Sequence, residues 1–580
     1  MTRHGLMLAL AALAAALAAC RTPGGNARVE AVTADTPVRE GSSRTIRLSV
    51  VSTNDLHGHI EALPRIGGFV ANLRRARAAD GGGVLLLDGG DAFQGELASN
   101  LNEGAAVVDA YNVLGYTAVA IGNHEFDFGP VGPRAAPRPG DDPRGALLAR
   151  AAQAHYPLLA ANLVETATGR GFAGKNIAPS TIVEVAGVKV GLVGALTLET
   201  TQSVLASVFA GLRLTPLAEA IVREARDLRA KGATLVLVVA HAGGRCAKIG
   251  DPDDLSSCDP RSEIFEVARA LPPGTVDGIV AGHSHEKLAQ RVNGVPIIEA
   301  GANGLALARV DFLVDARTKR PTRHEIHVPV AICAKVEGTT GCAPSSYEQA
   351  PVADDSSVAP IVHRALAAAD ELRNQDLGVT LLSKFGRPAG KESPLSNLVA
   401  DLMRKARPLA DVTLMHAGGL RADLPAGRLR YGAFYETYPR DSTFAVTTLT
   451  GAELARILEA NFTGPSGLLV SISGARAEAR CENGALVVNL RHDDGRPIAP
   501  DAVVRVATNN LLATGAKGPL GGRPWIVEDD PPIREELVRV LREQGGSLAP
   551  DDKTLFDAAR PRITLPSGAP IDCARPDQVK

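Results

Sequence analysis

Within the first 290 residues, five apolar runs each stop at side chains of metal-ligand type, and this pattern limits the possible folds more than any other feature of the chain. Val50-Val51-Ser52-Thr53 leads into Asn54-Asp55-Leu56-His57, and Leu85-Leu86-Leu87 into Asp88-Gly89-Gly90-Asp91. Ala118-Val119-Ala120-Ile121 leads into Gly122-Asn123-His124-Glu125, Val236-Leu237-Val238-Val239 into Ala240-His241, and Gly278-Ile279-Val280-Ala281 into Gly282-His283-Ser284-His285. Short continuous apolar runs read as strands covered on both faces. Helical stretches over Phe69–Ala79, Ala105–Leu114, Leu217–Ala230 and Ile264–Leu271 alternate with them, the rhythm of an α/β domain. In such sheets ligands gather beyond the carboxyl ends of the strands. These five ends would pool two Asp, one Asn and four His in one place. Singly, an Asp-x-His reads as a turn, Asn-His-Glu as a helix cap and His241 as a hydrogen-bonded core histidine. Five in succession, all at strand ends, are not independent accidents.

At 580 residues the chain exceeds what one hydrophobic core supports. We divide it into a lipoprotein-type signal (1–20), a tether (21–44), a first α/β domain (45–330), a linker with a bridging helix (331–375), a second α/β domain (376–566) and a tail (567–580). The run Leu6–Ala19 is too short to span a bilayer comfortably and ends in Leu17-Ala18-Ala19-Cys20. This resembles a bacterial lipobox, in which Cys20 carries lipid and the body faces the periplasm or the cell exterior on a membrane anchor. The other six cysteines fit an oxidising compartment. Among their possible pairings, sequence neighbours suggest Cys246–Cys258 and Cys333–Cys342, leaving Cys481–Cys573. A thiolate metal site is the alternative, although no Cys-x-x-Cys spacing occurs. A net charge of −2 shows no basic excess of the kind that binds a nucleic-acid duplex. No internal repeat or coiled-coil pattern suggests an oligomeric state.

Asn-Asp-Leu-His, Gly-Asp-Ala-Phe, Gly-Asn-His-Glu-Phe-Asp, the His after an apolar strand and Gly-His-Ser-His together resemble the signature blocks of the calcineurin-like metallophosphoesterases, in particular the bacterial periplasmic 5'-nucleotidases. The resemblance implies an N-terminal four-layer α/β/β/α sandwich and a C-terminal α/β substrate domain. It implies two divalent ions, one held by Asp55, His57 and His285, the other by Asn123, His241 and His283, with Asp91 shared between them. Nitrogen and oxygen ligands fit Zn, Mn, Fe or Co. Two dications set against two aspartates leave net positive charge that favours a phosphate ester. By the same resemblance, His124 stabilises the phosphoryl transition state or protonates the leaving oxygen, and Asp127, one turn beyond if a helix opens here, orients it. His59 has no assigned role.

The second domain departs from the pattern. His416-Ala417-Gly418-Gly419-Leu420-Arg421 resembles the family's Asn-Gly-Gly-Gly-Ile-Arg block, so Arg421 keeps a phosphate-binding position and His416 replaces the Asn. The Pro-Phe block reads Pro439-Arg440, the second base-stacking Phe becomes Leu511, and the ribose-binding Asp becomes Lys517. The alternative alignment gives stacking to Tyr435, Tyr438 or Phe444. The expected activity is phosphoester hydrolysis of the 5'-nucleotidase type. A 2',3'-cyclic nucleotide phosphodiesterase or a sulfate-ester-type hydrolase is the second enzymatic reading, and a non-catalytic ligand-binding surface lipoprotein the third.

Overall fold

The computed structural model describes residues 45–574 apart from 133, 135–136, 334–341, 344, 388–391, 465–469, 515–519, 521–523, 529–530 and 567–569. Cys20 and Lys517 therefore lie outside the described residues, as does the signal and tether region.

The first half stacks two sheets face to face. One has seven strands with Thr45–Thr53, Gly83–Asp88 and Ala118–Ala120 adjacent and parallel at its centre. The other has six, with Val188–Leu196, Leu235–His241 and Gly278–Val280 adjacent and parallel. Strand parity decides which core each side chain joins. Leu48, Val50, Leu85 and Leu87 meet Leu235, Leu237 and Val239 between the sheets. The alternate residues Val51, Leu86 and Val119 face helices Leu63–Asp80 and Ala105–Leu114. Likewise Val236, Val238 and Ala240 face helices Leu217–Ala230 and Glu263–Ala270. Covering both faces of each sheet yields the expected four layers.

Helix Ala359–Arg373 follows the linker and buries Val362, Ala365 and Ala369 in the same apolar cluster as the first domain's helices. That cluster continues into the second half through Leu395, Leu398 and Val399. The second half is built on a five-stranded sheet in the order Val470–Ser473, Val412–His416, Val503–Asn509, Phe444–Thr450, Ile526–Val527. Ser393 caps the helix Pro394–Ala406 by accepting the Ser396 amide at 3.1 Å, with Pro394 in the first turn, where a missing amide hydrogen costs nothing. Thr450 and Glu453 form a reciprocal cap on Gly451–Thr463. Three disulfides form among the described residues: the neighbour pairs Cys246–Cys258 and Cys333–Cys342, and Cys481–Cys573, the pair these leave.

Candidate metal centre and active site

The five strand ends converge. Gly89 and Gly282 lie against each other's loops, where a Cβ on Gly89 would stand 2.6 Å from the Ala281 carbonyl and one on Gly282 would stand 2.7 Å from the Gly89 carbonyl. Only glycine permits this approach between the two sheets. The side chains that follow are held in strained backbone: Asp55, His57, Asp91, His283 and His285 have φ of 50°, 48°, 57°, 78° and 60°. Left-handed non-glycine residues cost on the order of 1–3 kcal/mol each and persist where a site requires them.

Asp55, His57 and His285 bring ligand atoms together. His57 Nε2 lies 3.1 Å from His285 Nε2, and Asp55 Oδ1 lies 3.3 Å from His285 Nε2. His57 donates from Nδ1 to the Gln94 carbonyl at 2.8 Å, which leaves its Nε2 lone pair directed at the cluster. Burial and the Arg421 charge hold His57 well below the usual imidazole range, in the neutral form a cation needs. Asp55 Oδ1 is buried without a hydrogen-bond partner, while Oδ2 accepts from Asn54 Nδ2 and the His283 amide at 2.7 and 2.8 Å.

The second group centres on Asp91. Its Oδ2 lies 3.1 Å from His241 Nε2, 4.0 Å from His57 Nε2 and 3.9 Å from His124 Nε2, so one carboxylate faces both groups. His241 Nε2 is also 3.0 Å from Asn123 Oδ1, and its Nδ1 donates to the Gly89 carbonyl at 2.9 Å. His283 stacks edge-on to His241 at 5.0 Å between ring centroids, with its Nε2 3.1 Å from Glu199. Burial opposes a charge on His241, but Asp91 pushes its value up to about 10, so a cation arriving here displaces a proton. Burial also works against ionisation of Asp55, yet the surrounding imidazoles hold it at about 2. An orphaned carboxylate oxygen, directed imidazole lone pairs and a shared aspartate are a donor set that fits divalent cations.

His124 donates from Nδ1 to Asp127 Oδ2 at 2.6 Å. The expected helix is a single 3-10 turn, His124–Phe126, and it still sets the pair one turn apart. Burial outweighs Asp127 and Asp91 and lowers the His124 value.

From the second domain, Arg440 reaches across. Its Nη2 stands 3.4 Å from His124 Nε2 and its Nε 3.9 Å from Asp127 Oδ2. Arg421 lines a cleft of about 290 Å3 beside His57 and His285. Among the described residues its side chain makes no hydrogen bond or ion pair; burial and the Arg440 charge lower its value. His416 is pulled down to about 4 by burial and by these two guanidinium groups, which keeps it neutral beside them. Tyr435, Tyr438 and Phe444 are buried. Arg534 covers the Tyr435 ring at 4.0 Å and Arg407 the Phe444 ring at 4.0 Å.

Several residues received no role from the sequence. Glu125 accepts the amides of Asp91, Ala92 and Gly122 at 2.9, 2.8 and 2.7 Å, which fixes the Asp91 turn; burial and the Asp91 charge push it up to about 8. Asp88 accepts from Thr53 Oγ1, Tyr111 Oη and the Gly90 amide at 2.5, 2.9 and 2.8 Å. His59 bonds Glu61 at 2.9 Å and lines the same cleft as Arg421. Glu125 and Asp88 stand inside the quoted motifs, whereas Glu199 and Gln94 carried no signal.

Residues 48–287 match the calcineurin-like phosphoesterase family, and residues 376–521 match the 5'-nucleotidase C-terminal domain. Endonuclease YhcR of Bacillus subtilis is 27% identical over 523 residues, covering 86% of this chain but 40% of that protein. Protein UshA of Yersinia enterocolitica is 26% identical over 512 residues, 82% of this chain and 86% of that protein. The crystal structure of a 5'-nucleotidase precursor from Thermus thermophilus superposes with a TM-score of 0.68 at 24% identity, covering 87% of this chain and all of that one.

Proposed function

We propose, for a chain that belongs to the calcineurin-like phosphoesterases with a 5'-nucleotidase C-terminal domain, that it hydrolyses phosphate monoesters with two divalent ions. Asp55, His57 and His285 would hold one ion, Asn123, His241 and His283 the other, and Asp91 both. The observation that carries this reading is the position of Asp91 Oδ2 between His57 Nε2 and His241 Nε2. When bound, the ions would supply Lewis acidity to the phosphoryl oxygens and activate the attacking water.

The chain's own residues complete the chemistry. Asp127 holds the His124 tautomer with its proton on Nδ1, and so presents Nε2 to the reacting group. A phosphate dianion beside Nε2 favours the imidazolium, which then stabilises the phosphoryl oxygens or gives its proton to the departing alkoxide. Arg421, whose side chain is unpaired among the described residues, offers a planar fork of donors to the phosphate, a geometry suited to tetrahedral oxyanions. The second domain places Arg440 beside His124, adding positive charge next to the phosphoryl site.

We assign the body to an oxidising compartment outside the cytoplasm, supported by the three disulfides and by the lipobox ending in Cys20. Among the described residues no helix is long and apolar enough to cross a membrane. The test is hydrolysis of para-nitrophenyl phosphate with manganese, with zinc and with chelator. Turnover restored by metal after chelation is expected. Absence of turnover of any phosphate ester under every metal would favour a ligand-binding protein instead.

A further inference from the structure

Two recesses adjoin the site, one beside Asp127 and one beside His57 and His285, and they differ in size and lining. One is lined by Phe126, Phe128, Leu205, Leu511, Pro439 and Arg440. Gln94, Asp127, Ser203, Asp441 and Ser442 complete its wall, so a flat aromatic base could stack only on the apolar side that Phe126, Phe128, Leu205, Leu511 and Pro439 form. Its free space is about 30 Å3, room for about two waters. Arg440 closes it: the guanidinium contacts His124 on one side and donates to the Ser203 carbonyl at 3.4 Å on the other. Among the described residues its Nε has no hydrogen-bond partner, and the Asp127 carboxylate stands 3.9 Å from it.

The other recess is the 290 Å3 cleft beside His57 and His285. Among its described lining residues there is no Phe, Tyr or Trp. Its walls carry hydrogen-bonding groups instead: Glu96, Glu436, His59, Asn303 and Gln94. Gln94 lines both recesses, and among the described residues its buried amide nitrogen has no partner, a donor left for a ligand. A carboxylate that accepts at Glu436, with an amide that donates at Gln94, matches a group rich in hydroxyls.

Resting on the reading that this centre hydrolyses phosphoesters, we propose that the substrate is a phosphomonoester of a compact hydroxylated group, a sugar or polyol phosphate, whose organic part lies in the larger cleft while Arg440 fills the smaller recess. Hydrolysis consumes one water. Its oxygen joins phosphorus, the ester P–O bond breaks, and a proton goes to the departing alkoxide. A nucleobase, where present, projects away from both recesses and adds nothing to transition-state binding.

Ribose 5-phosphate and AMP differ only at C1, a hydroxyl in one and adenine in the other, so their kcat/KM ratio, measured with the full chain, reads what the base contributes over a hydroxyl. Stacking of a base on aromatic side chains would favour AMP by roughly 5- to 150-fold. The proposal expects the two substrates within about threefold of each other, since no such stacking is available. It also expects Arg440→Phe, which opens the recess and lines it with a ring, to raise the AMP ratio at least about tenfold. Glu436→Gln should raise KM for ribose 5-phosphate several-fold more than it raises KM for para-nitrophenyl phosphate, which carries no hydroxyls for the cleft to bind. A wild-type preference for AMP of tenfold or more, an unchanged ratio in Arg440→Phe, or an unaltered ribose 5-phosphate KM in Glu436→Gln would overturn the proposal while phosphatase activity stood. Loss of all turnover, para-nitrophenyl phosphate included, would instead remove the reading on which it rests.

Discussion

Replacing Asp127 with Asn isolates the His124–Asp127 pair. The hydrogen bond is 2.6 Å long and both side chains are largely buried, at 6% and 13% exposure, so solvent screens it little. A charge-assisted hydrogen bond contributes about 1.5–3 kcal/mol. At about 1.4 kcal/mol per decade, Asp127→Asn should lower kcat/KM roughly 10- to 150-fold. His124→Ala removes the proton-transfer group itself and should lower it about 10²- to 10⁴-fold. Because Asp127 acts through His124, the double variant should be no slower than His124→Ala within about threefold, a departure from additivity that a double-mutant cycle measures. The assay is steady-state hydrolysis of phenyl and para-nitrophenyl phosphate, with metal content determined in parallel. If His124 protonates the leaving oxygen, phenyl phosphate should suffer more, since para-nitrophenolate needs little help. Additive losses in the cycle, or loss of metal in His124→Ala, would refute the assigned roles.

Three further outcomes follow from the same geometry. A Cβ at Gly122 would collide with an Asp91 carboxylate oxygen and stand 2.6 Å from the Asp91 amide, so Gly122→Ala should weaken metal affinity at least about tenfold; calorimetric titration showing unaltered affinity would contradict this. Burial and the Glu436 charge push Glu96 up to about 7, so the folded chain keeps a proton that an unfolded carboxyl releases near its ordinary value of 4.5. Stability therefore falls as pH rises between those two values, and Glu96→Gln should gain Tm relative to wild type at pH 8 but not at pH 4; an equal gap at both would contradict the assignment. Cys481–Cys573 closes a span of 92 residues, worth up to about 4–5 kcal/mol by loop-closure entropy, so the paired Ser variant should unfold at lower denaturant; an unshifted midpoint would show that the link is not formed.

Strand ends were legible because continuous apolar runs have few other uses, and helix Leu217–Ala230 begins and ends where the amphipathic pattern places it. The candidate ligands stood out in the sequence because Asp, Asn and His stand directly after those runs, and the structure brings them together. What stayed hidden depends on three-dimensional approach. Nothing in the sequence indicates that Glu199 meets His283, or that the Gln94 carbonyl sets the His57 tautomer. Nor does the local sequence show that Arg440 crosses from one domain to reach His124, 316 positions away. The positive φ angles at Asp55, His57, Asp91, His283 and His285 were equally hidden, since none of these is glycine and each is imposed by the converging loops.

Metal content after equilibrium dialysis, compared between wild type and Asp91→Asn, tests the shared aspartate most directly. The expectation is two equivalents per chain in wild type and loss of both in the variant, because one carboxylate serves both groups. One equivalent in wild type, or two retained by Asp91→Asn, would contradict the dinuclear account.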